Sequence, residues 1–145
     1  MLSGINPLLS PDLLHVLASM GHGDRIAVVD ANFPAASHAR RVIALPGVDA
    51  PAVLEAILSV MPLDDFEPHP ASVMQVVGDA AMVPEAVRAF IAILARNDLR
   101  PPVPLERRAF YRATSEAFAV VQTGERRLYG NILLTKGVVP PDAPA

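Results

Sequence analysis

The chain predicts an α/β fold with a mostly parallel sheet. Short β-branched runs alternate with helix-forming stretches, the pattern of strands covered by helices. The 145 residues suit one domain, large enough to bury roughly two-thirds of its unfolded surface. No internal repeat is visible.

Ser10-Pro11-Asp12 opens the first helix, with a capping hydroxyl followed by proline at the first helical position. Leu13, Leu14, Val16, Leu17 and Met20 follow at helical spacing, and Gly21 is the stop. Residues 25–29 read as a short buried strand ended by Asp30-Ala31-Asn32-Phe33-Pro34, and residues 42–45 as a second strand. Asp49-Ala50-Pro51 opens a helix with Val53, Leu54, Ile57 and Leu58 on one face. Residues 73–77 are the third strand. Pro84 begins a helix with Val87, Phe90, Ile91 and Leu94 on its apolar face. Residues 97–104 read as a rigid proline-rich connector and 106–114 as a helix. Residues 118–122 and 129–134 read as two strands joined by a glycine-containing loop. The domain is expected over 1–138, with 139–145 a disordered tail.

Composition narrows the function. The net charge is −3 without a long basic stretch, which argues against nucleic acid as a partner. There are no cysteines, so disulfides, thiolate metal sites and a cysteine nucleophile are excluded. The apolar fraction is 52%, yet no run approaches the ~18 apolar residues of a membrane span. Excess apolar surface on a small domain points to a homo-oligomer. With no signal-like segment at the N-terminus, a cytoplasmic location is the expectation. P-loop, dinucleotide-binding and serine-hydrolase motifs are absent from the sequence.

The residues able to carry chemistry fall into two stations. His22, between Gly21 and Gly23, is either a surface residue past a helix cap or an acid–base imidazole that a ligand can approach closely. Asp30, at a strand end where α/β sheets gather ligands, either caps a turn or accepts substrate hydroxyls. Arg107 and Arg108 either anchor a hydroxyl, pair with Asp30 or sit solvated or at an interface. Tyr129 and Asn131 flank Gly130, and strand alternation would put their phenol and amide on one face. The alternative is sheet-edge packing and a satisfied turn. No histidine pair has helical metal-site spacing, so no metal is expected. Phe110 and Tyr111 read as packing residues. If residues 25–29 are extended, His22 and Asp30 lie roughly 16 Å apart at opposite strand ends. Either loops fold back, or His22 of one chain meets Asp30 of another.

Taken in order, Ser-Pro-Asp-Leu-Leu at 10–14, Met-Gly-His-Gly-Asp at 20–24, Asp-Ala-Asn-Phe-Pro at 30–34, Arg-Arg-Ala-Phe-Tyr at 107–111 and Thr-Gly-Glu…Tyr-Gly-Asn-Ile-Leu-Leu…Lys-Gly at 123–137 are more specific than any one alone. This series resembles the fucose mutarotase and ribose pyranase family of sugar-anomer isomerases across about residues 2–138. Asn32-Phe33-Pro34 and Tyr129-Gly130-Asn131 resemble the fucose branch. The resemblance implies a three-layer α/β/α domain, a ring-like homo-oligomer with sites at subunit boundaries, and no cofactor. It places the catalytic role on His22 and sugar contacts on Asp30, Arg107, Tyr129, Gly130 and Asn131. The expected activity is exchange of the anomers of L-fucose or a related monosaccharide. Its rivals are pyranose–furanose exchange on D-ribose and a non-catalytic sugar-binding regulatory subunit.

Overall fold

A computed structural model describes residues 1–144. The helices are α1 (Pro11–Ser19), α2 (Ala35–His38), α3 (Ala50–Leu58), α4 (Glu85–Arg96) and α5 (Arg107–Glu116). The strands are β1 (Arg25–Val29), β2 (Val42–Leu45), β3 (Ala71–Met74), β4 (Val103–Leu105), β5 (Ala119–Thr123) and β6 (Ile132–Thr135). They form one sheet in the order β2-β5-β1-β6-β3-β4. β1 and β2 pair parallel with β5, and β3 parallel with β4. β6 alone runs the other way, antiparallel to both β1 and β3.

Strand alternation divides the core between two faces. Ile26 and Val28 join Val121, Ile132 and Leu134 under α1, α3 and α4, against Leu13, Leu54, Ile57, Phe90 and Leu94. Ala27 and Val29 join Val120 and Leu133 on the other face, against Phe33, Phe110 and Ala113 of the α2–α5 side. The result is the expected three-layer arrangement. Each fully buried large side chain contributes about 1.5–3 kcal/mol by removal from water.

The helix starts follow their capping signals. Ser10 Oγ accepts the Leu13 N–H at 3.2 Å, and Asp49 Oδ1 accepts the Ala52 N–H at 2.9 Å. Glu106 carboxylate caps α5 by accepting the Arg108 and Ala109 N–H groups. The Ser10 and Asp49 caps are each worth about 1 kcal/mol.

Four elements depart from expectation. The third strand covers Ala71–Met74 rather than 73–77, because Val77 is exposed and the chain turns at Gly78 with φ +80°. The proline connector contains β4, an edge strand where Pro104 lacks an N–H that the sheet does not need. The four-residue α2 lies in a stretch to which the sequence reading assigns no element. The last strand begins at Ile132 rather than 129, because Tyr129 has left-handed backbone at φ 61°. In the expected tail, the Ala143 N–H closes a turn on the Pro140 carbonyl at 3.0 Å, while Ala145 lies outside the described residues. Among the described residues no helix is long and apolar enough to cross a membrane.

Candidate sugar site

The carboxyl ends of β1, β3, β4 and β5 all point to one end of the sheet, the position where open α/β sheets place ligands. There a cavity of about 240 Å³ is lined by Asp30, Asn32, Phe33, Met74, Val77, Arg107, Tyr111, Leu128, Tyr129 and Asn131. Asp30, Arg107, Tyr129 and Asn131, expected from the sequence, therefore come together from β1, α5 and the loop before β6.

Asp30 is buried. Asn131 grips it twice: its Oδ1 accepts the Asp30 N–H at 2.8 Å, and its Nδ2 donates to Asp30 Oδ2 at 3.0 Å. The Asn32 N–H donates to Asp30 Oδ1 at 2.9 Å, closing an Asx turn. Burial pushes the Asp30 carboxyl up from its ordinary value. The hydrogen bonds from Asn32, Asn131 and Phe33 act against that push, and the nearby Glu125 charge adds to it. Arg107 does not complete an ion pair with Asp30; its guanidinium lies over the Tyr111 ring, 5.5 Å from the centroid.

Tyr129 and Asn131 reach the cavity by a route other than strand alternation. Both precede β6. Left-handed backbone at Tyr129 turns its ring inward, and its Oη accepts the Val77 N–H at 3.2 Å. Such backbone in a non-glycine residue costs of order 1–3 kcal/mol and collects at functional sites. Gly130 does not line the cavity. Its backbone lies so close to Glu125 that a Cβ would stand 2.5 Å from Glu125 Cγ.

His22 is elsewhere. The Gly23 N–H donates to the Lys136 carbonyl at 2.9 Å, and the Lys136 N–H to the Asp24 carbonyl at 2.8 Å. The histidine loop thus sits beyond the far end of β6, and the flanking loops do not fold back. His22 Nε2 is 3.1 Å from Oδ1 of Asp64, with the imidazole 48% exposed and the carboxylate 4% exposed. Phe66, itself exposed, lies 5.5 Å from the imidazole between ring centroids. Asp64 also accepts the Phe66 N–H at 3.1 Å.

Sequence reading missed Asp64, Phe33 and Tyr111 as site residues. Asp64 is 42 positions from His22 and no local spacing links them. Phe33 and Tyr111 are aromatic residues of the core on the α2–α5 side that also line the cavity, ring centroids 5.3 Å apart. Among the described residues no cluster of three His, Cys, Asp or Glu side chains is placed to hold a metal ion.

Residues 3–139 match the RbsD / FucU transport protein family. The chain is 42% identical over 146 residues to the fucose mutarotase of Bos taurus, covering 97% of this chain and 95% of that protein. It is 46% identical over 142 residues to the L-fucose mutarotase of Glaesserella parasuis, covering 97% of each. The crystal structure of a fucose mutarotase in complex with L-fucose from Streptococcus pneumoniae superposes with a TM-score of 0.90, at 39% identity, covering 96% of this chain and all of that one.

Proposed function

The chain belongs to the RbsD / FucU transport protein family, and on that premise we propose that it is an isomerase that exchanges the α and β anomers of L-fucose. One observation carries the reading: a small cavity whose floor is a buried carboxylate–amide pair, in a chain alike over nearly its full length to proteins named fucose mutarotases. The cavity lies below the usual ~300–1,000 Å³ of drug-sized sites, which suits a monosaccharide.

Mutarotation opens a cyclic hemiacetal and recloses it on the other carbonyl face. Opening needs a base at the anomeric hydroxyl and an acid at the ring oxygen. Asp30 accepts sugar hydroxyls, Arg107 donates to them, and Tyr129 and Asn131 fix the ring. Gly130 brings that segment close without a side chain in the way. His22 moves the proton. With Asp64 on Nε2, the ring proton is held there and Nδ1 carries the lone pair offered to the sugar. No covalent intermediate or cofactor is required, and orientation with acid–base help is enough for so labile a ring.

The working site is composite, His22 of one subunit facing the Asp30 cavity of another. Two features support this. His22 and the cavity occupy opposite ends of the five-residue β1, about 16 Å apart. Both ends also carry exposed apolar side chains, Phe66 beside His22, and Val77 and Leu128 at the cavity, which a subunit contact would cover. A strictly monomeric variant with full activity would rule the arrangement out.

Saturation-transfer proton NMR on L-fucose, irradiating one anomeric proton, tests the activity. Transfer that appears only with protein is the expected result. Transfer absent with L-fucose but present with D-ribose would replace the substrate, and binding without transfer to any sugar would remove catalysis.

A further inference from the structure

The Thr123-Gly124-Glu125 segment has no part in the chemistry above, yet it is tied to almost every element of the cavity. Thr123 Oγ1 donates to the Val29 carbonyl at 2.8 Å and accepts the Glu125 N–H at 3.1 Å. The Glu125 carbonyl accepts the Ala31 N–H at 2.9 Å. The segment is thus stitched to both neighbours of Asp30. The Glu125 side chain is 3% exposed and holds Arg127 in a two-pronged grip: Nε to Oε1 and Nη2 to Oε2, each 2.9 Å. Oε1 also accepts the Arg127 N–H at 2.9 Å, and Cγ sets the wall against which Gly130 packs. Arg126 and Leu128 of the intervening loop are exposed; besides the Glu125 pair, the loop is held by Arg127 Nη1 against Glu85 Oε1 of α4 at 3.5 Å, with Asp49 also facing the guanidinium, and by the Val77 N–H donating to Tyr129 Oη.

We propose that the Glu125–Arg127 ion pair is the latch that shapes the sugar cavity, with both side chains acting as positioning residues for Asp30, Tyr129 and Asn131. The proposal rests on the sugar-binding reading of that cavity. The latch curls the loop into the left-handed turn at Tyr129 and delivers Asn131 onto Asp30. A planar guanidinium is needed because only its fork meets both carboxylate oxygens in one geometry. The latch also sets charge. Glu125 faces Asp30 from the loop side, whereas Arg107, Tyr111 and Tyr129 share Asp30's cavity. Arg127 covers the Glu125 charge.

The test is L-fucose titration and anomer exchange across pH for the wild type, Glu125→Gln, Arg127→Lys and Arg127→Ala, with Arg96→Ala as control for an exposed ion pair elsewhere. The expected result is sugar affinity weakened roughly tenfold in Glu125→Gln and Arg127→Lys, as loss of a bidentate charged pair predicts. Exchange at saturating sugar should stay near wild type, and Arg96→Ala should bind normally. The acid limb of binding should move in opposite directions: to lower pH in Glu125→Gln, which removes a negative charge facing Asp30, and to higher pH in Arg127→Ala, which uncovers that charge. Structural damage alone would not give opposite signs. If Glu125→Gln does not fold, the two Arg127 variants decide. Folded variants with wild-type affinity and an unmoved acid limb overturn the latch while leaving the sugar reading intact. A wild type that neither binds nor exchanges L-fucose overturns both.

Discussion

The two ends of β1 are built in opposite ways. At the carboxyl end, Asp30 is buried, gripped twice by one amide, and backed by a second buried carboxylate with its own arginine. At the amino end, His22 is half exposed on a short loop, held by a single carboxylate. One end is a cup fixed by its own hydrogen bonds. The other is an imidazole offered outward, with no cup of its own. With the roles proposed above, the difference separates recognition from proton transfer: damage at the first end should appear in affinity, and damage at the second in rate.

The sharpest way to break that separation is His22→Ala. Anomer exchange should fall by about a hundredfold or more, the usual worth of a positioned acid–base group, while fucose affinity and melting temperature stay close to wild type. An unchanged exchange rate would remove His22 from the mechanism. Co-assembled with Asp30→Ala, His22→Ala subunits should recover about a quarter of the sites by random assortment in a head-to-tail ring. Next in size is Asn131→Ala, which strips partners from the Asp30 N–H and carboxylate. It should cost about 2–3 kcal/mol of stability and at least roughly tenfold in affinity, read by thermal melting and sugar titration. Asp64→Asn keeps an acceptor for Phe66 but no longer holds the imidazole by charge. An exchange rate lowered about tenfold at unchanged affinity is expected from saturation-transfer measurements.

The smallest effect is on stability against pH. Arg127 holds the Glu125 carboxyl below its ordinary value, so its stabilisation is present at neutral pH and lost as pH falls through and below about 4.5. The Asp30 carboxyl is raised from 3.8, so its ionisation opposes the fold, and acid relieves that cost as pH falls through the raised value toward 3.8. Denaturant midpoints between pH 6 and 3 should fall less in Glu125→Gln than in wild type, and more in Asp30→Asn.

Most of the layering was legible because it depends on local pattern. The strands at 25–29 and 42–45 were found with their observed ends, since alternation and flanking turn residues mark both. β4 was hidden because Pro104 argues against a strand unless the edge position is known. Asp30, Arg107, Tyr129 and Asn131 were legible as chemistry, but not the backbone turn that gathers them, because a tyrosine gives no sign that it will adopt φ 61°. The Asp64 partnership was illegible for a simpler reason: it is made by the bridge of Leu63 to Lys136, a tertiary contact between distant segments. The Glu125–Arg127 pair stood in plain sight as a charged stretch, and only burial distinguishes it from a solvated one.

The position of β6 has a consequence for how the chain is made. It is the last of the six strands in chain order, yet it lies between β1 and β3. Until it leaves the ribosome, the sheet exists only as two unjoined ribbons, β2-β5-β1 and β3-β4, each with a bare inner edge open to pairing. Folding therefore waits on the carboxyl-terminal segment and closes by inserting one strand into a waiting slot, a slow long-range step. A chain stopped before residue 132 would hold all five helices and still lack a finished core, and it would be a substrate for chaperones and proteases rather than a shortened enzyme.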